Sequence, residues 1–211
     1  MRKSLILLLV LCVGCASATS PSFKSIPDLS FQERQIIAVM DFENKSGNPK
    51  YDILLKGLSD SVVDEMLQYG CFRIVERQRR NDILSEYEIE ATGFVDDRYV
   101  KQLGKHLGVD ALLFGNLKSV THREKKNHGG LAYTIKRKTE VVLSARLVSV
   151  DTSEILSSST VAAHVTQNKS VALIFARSGN MTDEETAIRS ALNIAVKQLV
   201  NDVAYRTPAK N

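Results

Sequence analysis

Residues 36–42, Ile-Ile-Ala-Val-Met-Asp-Phe, are the stretch from which the fold of this chain can be worked out. The run is short and apolar, and it ends in the turn-rich segment 43–49, which carries Asn, Ser, Gly and Pro. This combination favours a buried strand followed by a loop. The rest of the fold is predicted outward from this strand.

The segments that follow alternate between helix and strand patterns. In 51–69, Leu55, Leu58, Val62 and Met66 recur every three or four residues, which predicts a helix with one apolar face, and Gly70 suits its end. The remaining predictions are a strand at 72–76, a charged helix at 77–88 with Ile83, Leu84 and Tyr87 inward, a helix at about 97–107 and a buried strand at 109–115. This order predicts an α/β or α+β sandwich, a mixed sheet flanked by helices.

The second half of the chain is rich in predicted strands. Residues 133–150 alternate between apolar and polar side chains, which predicts a long strand, and a turn at 152–153 leads into another strand at 154–165. We expect hairpin extensions at about 117–142 and 161–180. A final helix is predicted from Asp183 to Tyr205, with Thr182 as its cap.

The N-terminus has the pattern of an export signal that ends in a cysteine. Arg2 and Lys3 precede an apolar run from Leu5 to Val13, and Gly14 stands before Cys15. The run is far shorter than the roughly 20 residues of a spanning helix. The ending resembles the bacterial lipobox, although Cys12 stands where leucine is usual. We therefore predict a signal peptide at 1–14 and lipid, including palmitate, on Cys15.

The segment after Cys15 predicts where the protein is held. Residues 15–30 are rich in Ser and Pro, so we expect a lipidated cysteine and a flexible tether, followed by a single domain at 31–211. Ala16 and Ser17 lack the Asp typical of inner-membrane retention, so the periplasmic face of the outer membrane is the expected location. Two or three acyl chains make a stable anchor. Cys71 is left alone, and we expect it to be a core residue and not a nucleophile.

Composition and motif searches argue against several functional classes. The chain has 211 residues, of which 44% are hydrophobic and 25% charged, and its formal net charge is only +4. Such a balance does not favour nucleic acid as a partner. The histidines at 106, 122, 128 and 164 lack metal-ligand spacing, and no phosphate loop or nucleophile elbow is present. We expect no enzyme activity, no catalytic or metal residues, and no cofactor beyond the lipid on Cys15.

Four segments together resemble the CsgG family of curli assembly and transport lipoproteins. They are residues 37–42, 75–78, 108–117 and 147–158, in matching order and spacing. The resemblance implies a domain like the TolB amino-terminal fold, in an outer-membrane lipoprotein that forms a ring. It also implies that each subunit adds two β-hairpins to a shared channel through which amyloid-fibre subunits are secreted.

The chain departs from the family pattern in two places. Channels of the family carry a constriction loop after the first strand. Here residues 44–50 lead almost directly into the helix predicted from residue 51, so no residue of that loop can be assigned in this chain. A membrane-spanning strand needs apolar side chains at every second position, and Arg137 interrupts that alternation in 131–140. Two interpretations of the basic hairpin stay open, a solvated turn or contact of Arg123, Lys125 and Lys126 with anionic head groups at the membrane surface.

Two hypotheses about function follow from these patterns. In the first, the chain is an outer-membrane lipoprotein of the curli-type secretion and assembly family, forms a homo-oligomer and helps export or assemble surface proteins, with channel formation left open. Its partners would be the outer membrane, secreted or fibre-subunit proteins and periplasmic accessory proteins. In the alternative, it is a periplasmic lipoprotein module without a pore that binds and regulates an envelope machine such as a peptidoglycan synthase.

Overall fold

The computed structural model describes residues 23–86, 97–129, 132–172, 176–179 and 181–210. The strands are β1 Gln35–Val39, β2 Glu43–Asn44, β3 Phe72–Ile74, β4 Ala111–Gly129, β5 Ala132–Ser149, β6 Ile155–Ala172 and β7 Ala176–Ser178. The helices are α1 Asp52–Leu55, α2 Leu58–Tyr69, α3 Arg77–Glu86, α4 Asp97–Leu107 and α5 Glu184–Arg206, with 3-10 turns at Phe31–Glu33 and Pro49–Tyr51. The predicted signal peptide and lipidation site at Cys15 lie outside these residues.

The strands form one mixed sheet of seven strands. Their order is β3-β1-β4-β5-β6-β7, and β2 pairs with β4. β1 is parallel to β3 and β4, and helices connect these strands, as parallel pairs require. β4, β5, β6 and β7 pair antiparallel in sequence order. The predicted fold class, a mixed sheet flanked by helices, is confirmed.

Helices cover both faces of the central sheet. Ile37 and Val39 of β1 are buried on the side of α2 and α5, whereas Ala38 and Met40 are buried on the side of α4. This alternation along one strand produces two apolar cores, one on each face. The uninterrupted apolar character of β1 is explained by burial on both sides.

The predicted helix at 51–69 is divided in the structure. A 3-10 turn ends at Tyr51, α1 follows from Asp52 to Leu55, and α2 begins at Leu58. Gly57 between them has φ of 81°, in the left-handed region that favours glycine. Because the apolar spacing continues across the break, the periodicity of the sequence did not reveal it.

The final helix, α5, is the longest in the structure, and its cap differs from the predicted one. Asp183 caps the helix by accepting a hydrogen bond from the Thr186 N–H at 2.7 Å. Because the helix begins at Glu184, the N-cap position falls on Asp183, and the Thr182 hydroxyl accepts a hydrogen bond from the Gln167 side chain. No helix among the residues described is long and apolar enough to cross a membrane.

The segment before β1 packs on the domain earlier than the predicted tether boundary at residue 30. The Lys24 N–H donates to Asn201 Oδ1 at 2.8 Å, and Asn201 Nδ2 donates to the Lys24 carbonyl at 2.9 Å. Ile26 and Leu29 pack against the core on the α5 side. The segment is rich in Ser and Pro and contributes only these two apolar residues to the core. Its composition therefore predicted a flexible tether.

Candidate interaction surface

The outer parts of β4, β5 and β6 extend beyond β1, β2 and β3 as a three-stranded ribbon. We define the ribbon as residues 118–129, 132–144 and 158–172. β1 pairs with β4 only as far as Leu113, and β2 only as far as Leu117, so β4 has no further partner on that side in the part of the chain that the structure describes. β5 pairs with both neighbours along the full ribbon. Of the predicted hairpin extension at 117–142, residues 117–129 lie in β4 and residues 132–142 in β5.

The two faces of the ribbon differ because side chains alternate along each strand. Val141 of β5, with Val161 and Ala163 of β6, faces the core beside α5. Side chains at the alternate positions of these strands face the opposite side of the sheet. On that side Lys118 Nζ donates to Thr160 Oγ1 at 3.3 Å. The cationic side chains of that opposite side, which we call the basic face, are Lys118, Arg123, Lys125, Lys136 and Lys138.

On the basic face, like charges lie directly across from one another. Arg123 is the register partner of Lys138, and Lys125 is the register partner of Lys136. Glu140 is the sole carboxylate that the described residues of β4, β5 and β6 place on this face, and its oxygen accepts from Lys138 Nζ at 2.8 Å. The hydrogen bond from Lys138 holds the pKa of Glu140 below its ordinary value. The face therefore carries a strong excess of positive charge.

The opposite face of the ribbon, which we call the balanced face, carries a smaller excess of positive charge. Glu124 accepts from Arg137 Nε at 2.5 Å and pairs with Lys126 at 3.3 Å. These contacts, with the hydrogen bond from Arg137 the largest cause, lower the pKa of Glu124. His122 Nδ1 and Thr139 Oγ1 are 2.7 Å apart on the same face. Glu124 thus contacts two of the three cations that the described strands place on this face, Lys126 and Arg137, and Lys169 lies across from Ile135.

The structure separates the three basic residues singled out in the sequence. Arg123 and Lys125 share the basic face, whereas Lys126 lies on the balanced face with Glu124. Lys136 and Lys138 join the first two only through the pairing of β4 with β5. The alternation of side chains along a strand already predicts that Lys125 and Lys126 lie on opposite faces. That Lys125 lies across from Lys136 follows only from the pairing register of β4 with β5.

A second polar cluster lies where β1 and β3 end. Arg80, which is 2% exposed, donates to the Val39 carbonyl and, at 3.0 Å, to Asp41 Oδ1. Arg77 donates to Asp60 at 2.5 Å and approaches Asp41 at 3.4 Å. Each cation is paired with a carboxylate, and the cluster joins α2 and α3 to the end of β1. This arrangement supports a structural role at the strand-to-helix turn.

The predicted core cysteine and the histidines form no reactive cluster in the described residues. Cys71 is buried, and burial raises the pKa of its thiol to about 11, so the thiol is protonated at neutral pH. No group of three His, Cys, Asp or Glu side chains suited to a metal ion occurs within the described ranges.

Comparison with protein families shows a match over most of the chain. The family model described as curli production assembly/transport component CsgG matches residues 19–209. No match was found among curated proteins.

Several solved structures are similar to the chain at low sequence identity. The LpoB C-terminal domain from Salmonella enterica is 13% identical, with 62% of this chain and 83% of that one covered and a TM-score of 0.44. Lipoprotein GNA1162 from Neisseria meningitidis is 15% identical, with 79% and 99% covered and a TM-score of 0.45. The PelC dodecamer from Paraburkholderia phytofirmans is 10% identical, with 90% and 98% covered and a TM-score of 0.38. Identities and TM-scores this low do not indicate a shared function.

Proposed function

Since the chain belongs to the CsgG family of curli production assembly/transport components, we propose that it is an outer-membrane lipoprotein that helps export or assemble surface proteins. The match over residues 19–209 is the observation that carries this proposal. In the proposed role, the signal peptide at 1–14 directs export, and lipid on Cys15 holds the domain at the periplasmic face of the outer membrane. The role is one of binding and assembly, without catalysis or a cofactor.

We further propose that the chain forms a homo-oligomer through the edges of its sheet. The edge strand β6 contains no Lys, Arg, Asp, Glu or Pro from Ile155 to Asn168. β7 pairs with β6 only from Ser170 to Ala172. Natural proteins usually protect long edge strands with charges or proline, so an uncharged edge supports pairing with another chain. The same contact repeated around an axis would close a ring.

The mass of the lipidated protein in detergent, measured by light scattering, tests the oligomer, and electron microscopy of the same fraction tests the ring. We expect one defined mass of several subunits. Ala162→Lys places a charge on the open edge and should convert the oligomer to monomers. Asn193→Lys, an equal change at an exposed position of α5, should leave the mass unchanged. A wild-type monomer over a wide concentration range would contradict the proposal.

The charge pattern of the ribbon supports a second function, a periplasmic module without a pore. A spanning strand needs one apolar side over roughly ten residues. On the balanced face, His122, Glu124 and Lys126 interrupt β4 and Arg137 interrupts β5, and the other face is basic. In this function the monomer would bind and regulate an envelope machine such as a peptidoglycan synthase.

Conductance across planar bilayers distinguishes the two functions. Stepwise conductance by purified oligomers would support export through a channel. Its absence, together with a change in the rate of a purified peptidoglycan synthase on addition of the monomer, would support the regulatory module.

A further inference from the structure

We propose that the basic face of the ribbon binds an acidic polypeptide segment in an extended conformation. Like charges directly opposite each other weaken strand pairing, yet Arg123 lies opposite Lys138 and Lys125 opposite Lys136. A single carboxylate, Glu140, offsets the cations of this face within the described strands. Glu140 contacts Lys138, and an anionic partner would relieve the repulsion that remains among the other cations.

The spacing of the cations fits an extended chain. Along one strand, side chains on the same face are spaced about 6.7 Å apart. Neighbouring strands lie about 4.8 Å apart. An extended partner has the same repeat, so carboxylates at alternate positions would match Arg123 and Lys125 in turn. Beside the cations, β6 presents Thr166, Asn168 and Ser170 on the same face, which can hydrogen-bond to the partner's backbone.

The shape of the molecule favours a polypeptide over a flat bilayer. Farther along the same side of the sheet, Leu112 and Val148 are buried together with Leu103 and Leu107 of α4. A helix with its side chains is about 10 Å thick, so α4 projects from this side of the sheet by about that distance beyond the strands that carry the cations. A flat membrane surface would meet this helix before it reached the cations, whereas an extended chain can lie beside it.

The point at which the tether leaves the domain is also remote from the basic face. Lys24 pairs with Asp202 at 3.1 Å, and Asp202 accepts from Ser159 Oγ at 2.9 Å on the α5 side of the sheet. Asn168, beside the cations, lies about 30 Å farther along β6. Lys24, where the chain toward Cys15 leaves the domain, and the basic face are therefore at separate ends and on opposite sides of the sheet.

Two neighbouring charge reversals test the inference on the full mature chain in detergent. The probe is a fluorescent peptide of alternating glutamate and threonine, and its anisotropy reports binding at low salt. Lys125→Glu changes the basic face and also creates an attractive pair with Lys136, so the fold should be kept or stabilised. Lys126→Glu makes the same change of net charge on the balanced face and is the matched control.

We expect Lys125→Glu to weaken peptide binding at least about tenfold and Lys126→Glu to leave it within about twofold. A peptide of alternating glutamine and threonine should not bind. Equal weakening by both reversals would show a response to net charge alone and would overturn the inference. Binding to phosphatidylglycerol vesicles without binding to the acidic peptide would overturn it in favour of the membrane surface. The peptide assay needs neither oligomers nor a channel, so its failure is separate from failure of the proposed export role.

Discussion

Arg80 shows that a residue in a strongly charged helix can belong to the core. Its guanidinium also donates to Asn81 Oδ1 at 2.9 Å, so the buried charge has several acceptors. Burial of a charge without such partners would be costly. The apolar pattern of α3 predicts Ile83 and Leu84 inward, and both are partly buried against the α4-side core, whereas Tyr87 lies outside the described residues.

Replacement of Arg80 should test this role. Arg80→Met removes the donor to the Val39 carbonyl and the partner of Asp41, so we expect the free energy of unfolding to fall by about 2–4 kcal/mol. Arg79→Met, at an exposed neighbour, should change it by less than about 0.5 kcal/mol. Urea unfolding followed by circular dichroism measures both. Equal midpoints for the two variants would contradict the structural role of Arg80.

Cys71 should make stability depend on pH in the alkaline range. Its pKa is raised by burial from an ordinary value of 9.0 to about 11, so the unfolded chain loses the thiol proton first as pH rises. Stability is therefore fully present below pH 9 and falls between pH 9 and 11, by roughly 1.4 kcal/mol per unit of pKa difference. Unfolding in urea across this range, compared with Cys71→Ala, isolates the effect. A loss just as steep in Cys71→Ala would refute it.

Close approach of Phe42 to Gly115 joins the loop after β1 to β4. A Cβ at Gly115 would lie 2.3 Å from the Phe42 ring, so no larger residue fits without movement. The two residues belong to the segments 37–42 and 108–117, through which the chain resembles its family. The family pattern at these positions thus corresponds to a packing contact between the loop after β1 and the strand β4.

A double-mutant cycle should measure this contact. Gly115→Ala forces the ring aside, so we expect a loss of about 1–3 kcal/mol in the free energy of unfolding. With Phe42→Leu already present, the added cost of Gly115→Ala should shrink because the smaller side chain leaves room. Denaturant unfolding of the four proteins gives the coupling energy. Simple additivity of the two changes would show that the contact is not what makes Gly115 necessary.

The two ends of the described chain are fastened together near one end of the molecule. The Lys210 N–H donates to the Glu33 carbonyl at 2.8 Å, and Lys210 Nζ donates to Asp110 at 2.7 Å. Asn201 holds Lys24 by its two backbone groups. These contacts define where the chain toward Cys15 leaves the domain, opposite the tip of the ribbon.

Loss of the Asn201 side chain should release this exit point. Asn201→Ala removes both hydrogen bonds to Lys24, so we expect trypsin to cut after Lys24 roughly tenfold faster while the domain stays folded. Asn193→Ala, at an exposed position of the same helix, is the control and should not change the rate. Mass spectrometry of the first fragments gives both rates. An unchanged rate in Asn201→Ala would mean that other contacts hold the segment.

The amino-acid sequence by itself determined the fold class and most of the elements, although not the break at Gly57 within the helix predicted at 51–69. The apolar run at 36–42 and the alternation at 133–150 are local signals, because burial imposes a period that a few neighbouring residues already show. The family resemblance likewise rests on short segments, 37–42, 75–78, 108–117 and 147–158, in matching order and spacing.

Only the tertiary structure decided which charged residues act together. Lys125 and Lys126 are neighbours in sequence but lie on opposite faces, whereas Lys125 and Lys136 meet across two strands. Lys24 and Asn201 pair although 177 positions separate them. Strand register and helix docking depend on contacts between distant segments, so no local pattern contains them. The excess charge of the basic face comes from that register, which brings together residues that the sequence keeps apart.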